Sequence, residues 1–206
     1  MDKTLILIGG GGHCESSIDV IEQQGEYTIA GIVDIPRKIG NSIAGYEIIA
    51  DDTAIPDLAK EYDCFFITLG QINSPEKRIK FFNLLLSLNV KLPIIISPLA
   101  YVSKNVSLGP GTIIHHHALI NAGAKIGNNC IINTKALVEH NAIVEDHVHI
   151  STNAIINGGS YVGMGTFVGS ATMVRESVRI GERCIIGAGL KVMHSVKTGD
   201  KLKISQ

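Results

Sequence analysis

The sequence is poor in aromatic residues, with five Tyr, five Phe and no Trp among 206 residues. Yet 45% of the residues are hydrophobic, which is enough for a sizeable core and excludes a disordered chain. Aromatic rings usually supply much of the core of a mixed globular domain. Their scarcity therefore predicts a core built from small aliphatic side chains.

An excess of one charge is also absent, because the net charge is -1. We therefore expect no electrostatic field that would attract nucleic acid. The balance is uneven along the chain, with a basic excess late in the sequence. The late cations are Arg175, Arg179, Arg183, Lys191, Lys197, Lys201 and Lys203. They form either a solvated face or a site for an anionic ligand.

Cysteine motifs and long apolar segments are lacking too. The four cysteines, Cys14, Cys64, Cys130 and Cys184, are far apart and show no metal-ligand spacing. We expect them to be reduced thiols of a cytoplasmic protein. The first apolar run, residues 4–8, is too short for a signal peptide or a membrane span, so no membrane insertion is expected.

Residues 1–95 alternate between strand and helix patterns. Strands are predicted at residues 4–8, 27–33 and 64–69, and helices at 15–24 and from Ser74-Pro75 to about residue 89. The apolar stripe of the second helix consists of Ile79, Phe82, Leu85 and Leu86. This alternation predicts a Rossmann-like α/β domain with a small parallel sheet over residues 1–95.

From residue 96 onward the pattern changes to a period of six. An aliphatic residue occupies every sixth position from Ile96 to Val192 without an insertion. Gly or Asn often follows this aliphatic directly, as at Gly109 and Asn121, and we expect these residues to form tight corners. A six-residue period with an inward aliphatic predicts a β-solenoid as a second domain over residues 96–206.

The repeat resembles the hexapeptide-repeat acyltransferases, which form a left-handed parallel β-helix of three hexads per 18-residue coil. Residues 133–140 and 146–150, with the loop Gly9-Gly10-Gly11-Gly12-His13, resemble one subfamily. It contains sugar N-acetyltransferases of bacillosamine and legionaminic acid synthesis and sialic acid O-acetyltransferases. The resemblance implies acetyl-CoA as co-substrate, a nucleotide-sugar substrate and a homotrimer whose subunits share active sites.

By this resemblance His140 is the catalytic base, flanked by Glu139 and Asn141. An imidazole suits this role because its reference pKa lies near neutrality. Many relatives have an acidic residue where this chain has Asn141, so the way the base is tuned stays open. Ala122 and Gly158 lie one coil away from His140, and such small neighbours would leave room for a substrate.

The resemblance also implies a site for acetyl-CoA along the solenoid. His149 would lie near the thioester, and Ser170 and Ala188 would stack on neighbouring coils along the ligand. The late Arg and Lys residues could receive the CoA phosphates. The backbone N–H of Gly158 is a candidate donor for the oxyanion.

The glycine-rich loop after the first predicted strand is open to two interpretations from its residues alone. With Asp34 after the next strand it resembles a dinucleotide fingerprint, but Cys14 replaces the third glycine, which makes it a weak NAD signal. It could equally be a plain tight turn. The family resemblance implies that Gly11, Gly12 and His13 contact the sugar nucleotide, Asp34 and Ile35 its base, and Gly70 the same pocket.

The leading hypothesis is an acetyl-CoA-dependent N-acetyltransferase acting on the 4-amino group of a nucleotide-activated amino sugar. O-acetylation of a sialic-acid-like sugar is the alternative within the class. An NAD-linked oxidoreductase and a non-catalytic solenoid scaffold are more distant alternatives. The run His115-His116-His117 raises the question of a metal, but no His pair has a suitable ligand spacing, so none is expected.

Overall fold

A five-stranded sheet with three helices forms the N-terminal part of the computed structural model, which describes residues 3–203. Its strands are β1 (Lys3–Ile8), β2 (Tyr27–Val33), β3 (Ser42–Ile43), β4 (Tyr46–Ala50) and β5 (Cys64–Ile67). Its helices are α1 (Gly12–Gln24), α2 (Ile55–Glu61) and α3 (Glu76–Ser87), with short 3-10 turns at Pro36–Lys38 and Asp52–Ala54. The strand order is β3-β4-β2-β1-β5, and only β3 is antiparallel to its neighbour.

This arrangement confirms the predicted α/β domain with its parallel sheet. Three elements, β3, β4 and α2, were not predicted from the sequence, and α1 begins three residues earlier than predicted. On α3 the prediction was wrong for Leu86, which is 50% exposed, whereas Phe81 and Arg78 are buried. The buried side of α3 therefore includes a charged residue, Arg78, and an apolar stripe alone does not identify it.

The second part is a three-sided parallel β-helix of two-residue strands. They are β6 (Ile95–Ile96), β7 (Tyr101–Val102), β8 (Ser107–Leu108), β9 (Ile113–Ile114), β10 (Leu119–Ile120), β11 (Lys125–Ile126), β12 (Ile131–Ile132), β13 (Leu137–Val138), β14 (Ile143–Val144), β15 (His149–Ile150), β16 (Ile155–Ile156), β17 (Tyr161–Val162), β18 (Phe167–Val168), β19 (Met173–Val174), β20 (Arg179–Ile180), β21 (Ile185–Ile186), β22 (Lys191–Val192) and β23 (Lys201–Leu202). Every predicted aliphatic is the last residue of a strand. Residues 1, 2 and 204–206 lie outside the described residues.

Every third strand belongs to the same sheet, so the helix has three faces. Face 1 contains β6, β9, β12, β15, β18, β21 and β23. Face 2 contains β7, β10, β13, β16, β19 and β22, and face 3 contains β8, β11, β14, β17 and β20. Paired residues are 18 apart from β6 to β22, as in Ile120 with Val138, and 16 apart between β21 and β23. The predicted aliphatics face inward and form one continuous core without aromatic rings, which explains the shortage of aromatics.

The corners between faces differ from the prediction. A residue with positive φ occurs every six positions from Gly111 to Gly189, three places after the inward aliphatic rather than directly after it. Glycine is required directly after the aliphatic for another reason. At Gly163 a Cβ would lie 2.6 Å from the backbone carbon of Gly181 in the next coil. Close stacking of coils, not left-handed backbone, therefore requires glycine there.

The N-terminal domain packs on face 1. The outward residues Ile95, Ile113 and Ile131 of this face join a core with Leu5 and Ile18. No helix in residues 3–203 is both long and apolar enough to cross a membrane.

A buried arginine also links the two parts. Arg78 on α3 donates from Nη1 to the carbonyls of Ile67 (3.1 Å) and Leu69 (2.7 Å). Its Nη2 donates to the backbone oxygen of Asn129 in the β-helix (2.8 Å) and to the Oδ1 of the same residue (2.5 Å). The guanidinium thereby fixes the segment after β5 against the β-helix.

Candidate active site

A cleft of about 590 Å³ lies where the glycine-rich loop and the segment after β5 meet face 1. Of the predicted site residues, Gly12, His13, Gly70 and His149 line it together. It lies at the carboxyl end of the parallel strands β1 and β5, the usual place for a ligand in such sheets. The structure thus brings residues of both domains to one cleft.

His149 is held in a single orientation in this cleft. Its Nδ1 lies 2.6 Å from the carbonyl oxygen of Gln71, which can only accept, so Nδ1 carries the proton. Its Nε2 is then an acceptor and lies 3.3 Å from the Nδ2 of Asn133. The ring contacts Phe167 edge-on and is 6% exposed. Burial lowers the pKa of His149 to about 4, so the imidazole is neutral at pH 7.

Two further imidazoles lie near His149: His13 lines the cleft, and His115 is fully buried behind it. The rings of His13 and His115 are 5.3 Å apart. Burial lowers the pKa of His115 to about 4, and burial also holds the pKa of His13 well below its usual range, helped by His115, Arg78 and His149. The Nε2 atoms of both rings are buried without a hydrogen-bond partner within residues 3–203. His115 was not predicted as a buried residue near the cleft, because neither spacing nor composition shows which outward residues the N-terminal domain covers.

The other two residues of the histidine run have separate positions. His116 lies between the Oδ2 of Asp19 (2.7 Å from its Nε2) and the Oγ of Ser97 (2.6 Å from its Nδ1), and so links α1 to the first coil. His117 is an exposed corner residue with a φ of 58°. Within residues 3–203 no group of three or more His, Cys, Asp or Glu side chains is arranged to hold a metal ion.

The carboxylate of Asp34 organises the glycine-rich loop. It accepts from the backbone N–H of Gly10 (2.9 Å), the Nζ of Lys38 (2.7 Å) and the backbone N–H of Ile35 (2.7 Å). Burial acts to raise the pKa of Asp34, but these hydrogen bonds outweigh it, and the pKa is lowered. These three hydrogen bonds occupy three of the roughly four acceptor positions of the carboxylate and hold the loop in place.

The predicted substrate residues fall in two neighbouring cavities. Asp34 and Ile35 line a smaller cavity of about 150 Å³, with Gly9 at its floor, rather than the cleft that contains His13 and Gly70. Gly11 precedes the first residue of α1 and is exposed. The glycine-rich loop separates the two cavities, so a ligand that extends over the loop would reach both.

His140 is an exposed residue at the corner between faces 2 and 3. The Oε2 of Glu139 accepts from the backbone N–H of His140 (3.0 Å) and from the Nδ2 of Asn121 (2.8 Å). These hydrogen bonds lower the pKa of Glu139, and they hold the backbone of the corner rather than the imidazole. The side chain that contacts the ring is Asn141, whose Nδ2 lies 3.3 Å from the Nδ1 of His140.

The imidazole of His140 occupies the space above Gly158. A Cβ on Gly158 would lie 2.6 Å from the Nε2 of His140. The expectation that this small neighbour leaves room for substrate was therefore wrong at Gly158, since the ring itself fills the space. Asn157 donates to the carbonyl of Val174 (2.8 Å), whereas Asn121 accepts from the amide that follows it (2.7 Å). Asn157 therefore does not accept a hydrogen bond from the following amide, that of Gly158, as Asn121 does from Ala122.

The base candidate and the cleft lie on different sides of the β-helix. His149 is on face 1, and His140 is at the corner opposite that face. Nine residues separate them, which is half of an 18-residue coil, so their spacing in the sequence already contained this information.

Ser170 and Ala188 lie on the side of the cleft instead. Both are exposed at the corner between faces 1 and 2, and both directly follow the corner's first residue. The amide of Gly189 donates to the carbonyl of Ser170 (2.9 Å), which places the two coils in contact there. The predicted cofactor residues therefore form two groups, with His149, Ser170 and Ala188 on one side and Gly158 beside His140 on the other.

Comparisons with known proteins decide the family. The structure superposes on a perosamine N-acetyltransferase from Caulobacter crescentus, solved in complex with CoA and GDP-perosamine, with a TM-score of 0.90 and 30% identity over 96% of this chain and 92% of that chain. The chain belongs to the hexapeptide-repeat sugar N-acetyltransferases. Residues 4–85 match the family model described as the PglD N-terminal domain. The comparison with curated proteins gave no match.

Two other solved structures agree with this assignment. The acetyltransferase domain of PglB from Neisseria gonorrhoeae FA1090 is 25% identical, with a TM-score of 0.90 over 97% of this chain and 96% of that chain. WeeI from Acinetobacter baumannii AYE, 17% identical with a TM-score of 0.76 over 96% of this chain and 95% of that chain, shares the fold. As a member of the hexapeptide-repeat sugar N-acetyltransferases, the protein is an acetyltransferase, and the predicted left-handed β-helix is confirmed.

Proposed function

We propose that the protein transfers the acetyl group of acetyl-CoA to the 4-amino group of a nucleotide-linked amino sugar. The cleft with His149 and the glycine-rich loop is the observation that carries this proposal. The relatives support it, because one is described in complex with CoA and GDP-perosamine and another in complex with acetyl coenzyme A. In this proposal Gly11, Gly12, His13 and Gly70 contact the sugar nucleotide.

The proposed role of His140 is that of general base. Its imidazole takes a proton from the amine as the nitrogen forms a bond to the thioester carbon, and the electron pair of the carbonyl moves to its oxygen. The resulting oxyanion accepts a hydrogen bond from the N–H of Gly158. When the carbonyl re-forms, the carbon–sulfur bond breaks, and the thiolate of CoA takes the proton from His140. Asn141 positions the ring, and Glu139 holds the corner.

The base reaches the cleft of a neighbouring subunit in a homotrimer. A single chain holds His140 and His149 on different sides of the β-helix, so the reaction needs a second copy. Face 2 offers the contact surface, because its outward residues are mostly apolar and none is covered by the N-terminal domain. Tyr101 and Leu119 are exposed, at 59% and 36%, whereas Leu137, Ile155 and Met173 are half-buried, and the charged Lys191 ends the row. Exposed apolar rows of this kind are typical of subunit interfaces.

Acetyl-CoA lies along the corner between faces 1 and 2 in this proposal. His149 is near its thioester, and Ser170 and Ala188 contact its extended arm on successive coils. The exposed Lys191 on the last strand of face 2 is near this corner and carries a charge suited to the CoA phosphates.

The test is replacement of the base. His140→Ala should lower turnover by about 10²–10⁴-fold, with little change in thermal stability because the side chain is exposed. His194→Ala, at another exposed histidine, is the control and should keep full activity. Release of free CoA is measured with UDP- and GDP-linked 4-amino sugars and with sialic acids.

Two outcomes would contradict the proposal. Full activity of His140→Ala would show that His140 is not the general base. Acetylation of sialic acids, with none of the amino sugars accepted, would replace N-acetylation by O-acetylation at the same site.

A further inference from the structure

Gln71 is a buried glutamine whose side chain joins the N-terminal domain to the β-helix. It belongs to the segment after β5, lines the cleft and is only 2% exposed. Its Nε2 donates to the carbonyl oxygens of His147 (2.8 Å) and Gly165 (3.3 Å). These two residues are 18 apart in the sequence, so they occupy the same corner in successive coils, and both have a left-handed backbone. One side-chain amide thereby fixes the segment to two coils.

The side-chain amide of Gln71 has only one favourable orientation. Both of its partners are carbonyl oxygens, which only accept, so the nitrogen must face them. The Oε1 of the same amide is buried without a hydrogen-bond partner within residues 3–203. An unpaired buried acceptor costs stability and offsets part of the gain from the two hydrogen bonds. We therefore expect loss of this amide to affect the position of the segment more than the stability of the fold.

The backbone carbonyl of the same residue determines the tautomer of His149. It lies 2.6 Å from Nδ1, which must carry the proton, so the Nε2 of the ring is an acceptor. The neighbour of this Nε2 is the Nδ2 of Asn133 at 3.3 Å, which is a long hydrogen bond. Asn133 and His149 both line the cleft. A ligand in the cleft that brings an N–H group can therefore donate it to the Nε2 of His149.

We propose, building on the proposed function, that Gln71 is a positioning residue for the binding of acetyl-CoA. Its side-chain amide holds its backbone carbonyl where that carbonyl accepts from His149, and this keeps the Nε2 of the ring an acceptor. Acetyl-CoA has amide N–H groups in the arm that leads to its thioester, whereas the thioester itself has no donor. The imidazole therefore accepts from the arm and does not donate to the thioester oxygen. In the opposite tautomer Nε2 would carry the proton and could not accept.

A double-mutant cycle separates this role from a purely structural one. Binding of acetyl-CoA is measured by calorimetry, without a sugar nucleotide, in the wild type, Gln71→Met, His149→Ala and the double variant. We expect Gln71→Met, which lacks the donor, to weaken binding about 10-fold when His149 is present and less than about 2-fold in His149→Ala. Gln23→Met, the same change at an exposed residue of α1, should bind acetyl-CoA as the wild type does.

The tautomer of His149 provides a second measurement, which begins with the unaltered protein. Nitrogen NMR of histidine-labelled protein distinguishes a protonated from an unprotonated ring nitrogen. We expect the proton of His149 on Nδ1 in the wild type and a mixture of both tautomers in Gln71→Met, because the carbonyl that selects one tautomer is no longer held.

Three results would overturn the proposal. They are a proton on the Nε2 of His149 in the wild type, unchanged binding of acetyl-CoA in Gln71→Met, and an equal loss of binding with and without His149. The function on which the proposal rests is tested separately, with the amino sugar. Acetylation of the sugar that depends on His140 would leave that function intact whatever the cycle shows. The expected cycle without acetylation of any amino sugar would contradict the function alone.

Discussion

The pairing of His140 with Gly158 shows how one residue of a coil determines the conformation of a residue in the coil before it. The side chain of His140 is exposed, and an exposed imidazole ordinarily samples several rotamers. Here the absence of a Cβ at position 158 gives the ring a place to lie, and Asn141 contacts its Nδ1. The absence of a side chain at Gly158 thereby determines where the imidazole of His140, the proposed base, can lie.

A single methyl group added at this glycine tests that relationship. In Gly158→Ala the Cβ would lie 2.6 Å from the Nε2 of His140, so the ring must turn away. We expect turnover to fall by about 10²-fold or more, toward that of His140→Ala. Stability should change by less than about 1 kcal/mol, because the displaced ring is exposed and free to move. Steady-state kinetics and thermal unfolding are measured together.

Binding of acetyl-CoA is the internal control for this variant, since His149, Ser170 and Ala188 lie on another side of the β-helix. A Gly158→Ala variant with wild-type turnover would show that the ring does not need the space above residue 158.

At this scale the sequence predicted positions better than roles. The 18-residue stacking placed Gly158 next to His140 correctly. Spacing could not show that Lys38 and Gly10 engage the carboxylate of Asp34, because those contacts depend on how the loop after β2 folds back. It could not show the burial of His115 either, since burial depends on where the N-terminal domain packs.

The two-residue strand with its corner is the repeating element of the β-helix, and it places two different demands on its residues. The position after the inward aliphatic must be small where the next coil is close. The position two residues further on has a left-handed backbone in every corner from Gly111 to Gly189. Glycine satisfies both demands for different physical reasons, and substitutions can separate them.

Replacing a glycine by alanine at one position and an alanine by glycine at the other tests the two requirements separately. Gly163→Ala would place a Cβ 2.6 Å from backbone atoms of the next coil, and we expect a loss of about 1–3 kcal/mol in the free energy of unfolding. Ala171 has a left-handed backbone, which costs an alanine about 1–2 kcal/mol, and Ala171→Gly removes this cost. The greater entropy of glycine in the unfolded chain offsets part of this gain. We expect this variant to be as stable as the wild type or about 1 kcal/mol more stable. Denaturant unfolding measures both, and equal effects of the two would contradict the distinction.

The hexad predicted all of the strands from β6 to β22, because the inward aliphatic is required in every coil whatever surrounds the β-helix. The positive-φ position was missed because residues as different as His117, Lys135 and Ala171 occupy it. A backbone requirement that many residue types tolerate leaves no compositional signal. The short strands β3 and β4 were missed for a related reason, since they lack a regular alternation.

In the whole molecule the three faces of the β-helix have different surroundings. Face 1 packs against the N-terminal domain, face 2 presents a row of exposed and half-buried apolar residues, and face 3 carries Ser107, Lys125 and Arg179 among its outward residues. The residue before each inward aliphatic points outward, and its type determines the character of each face. The fold also puts His140 and the cleft on opposite sides of each chain, which is why the proposed function requires a site shared between subunits.

Sharing of the site can be tested by mixing two inactive variants. His140→Ala lacks the base and His149→Ala alters the cleft, and we expect each homotrimer to be nearly inactive. If the base of one subunit serves the cleft of the next, a site is complete whenever a His149→Ala subunit supplies His140 to the intact cleft of a His140→Ala subunit. In a closed ring of three subunits every mixed trimer, of either composition, contains one such complete site, so about one third of its sites are complete.

Co-expression of the two variants with different affinity tags, followed by isolation of mixed trimers, should therefore restore a substantial fraction of wild-type turnover. Mixing the two purified homotrimers without exchange of subunits is the control and should give none. If each chain instead completed its own site, every site in a mixed trimer would contain one defect. Mixed trimers would then be as inactive as either parent, and the shared site would be excluded.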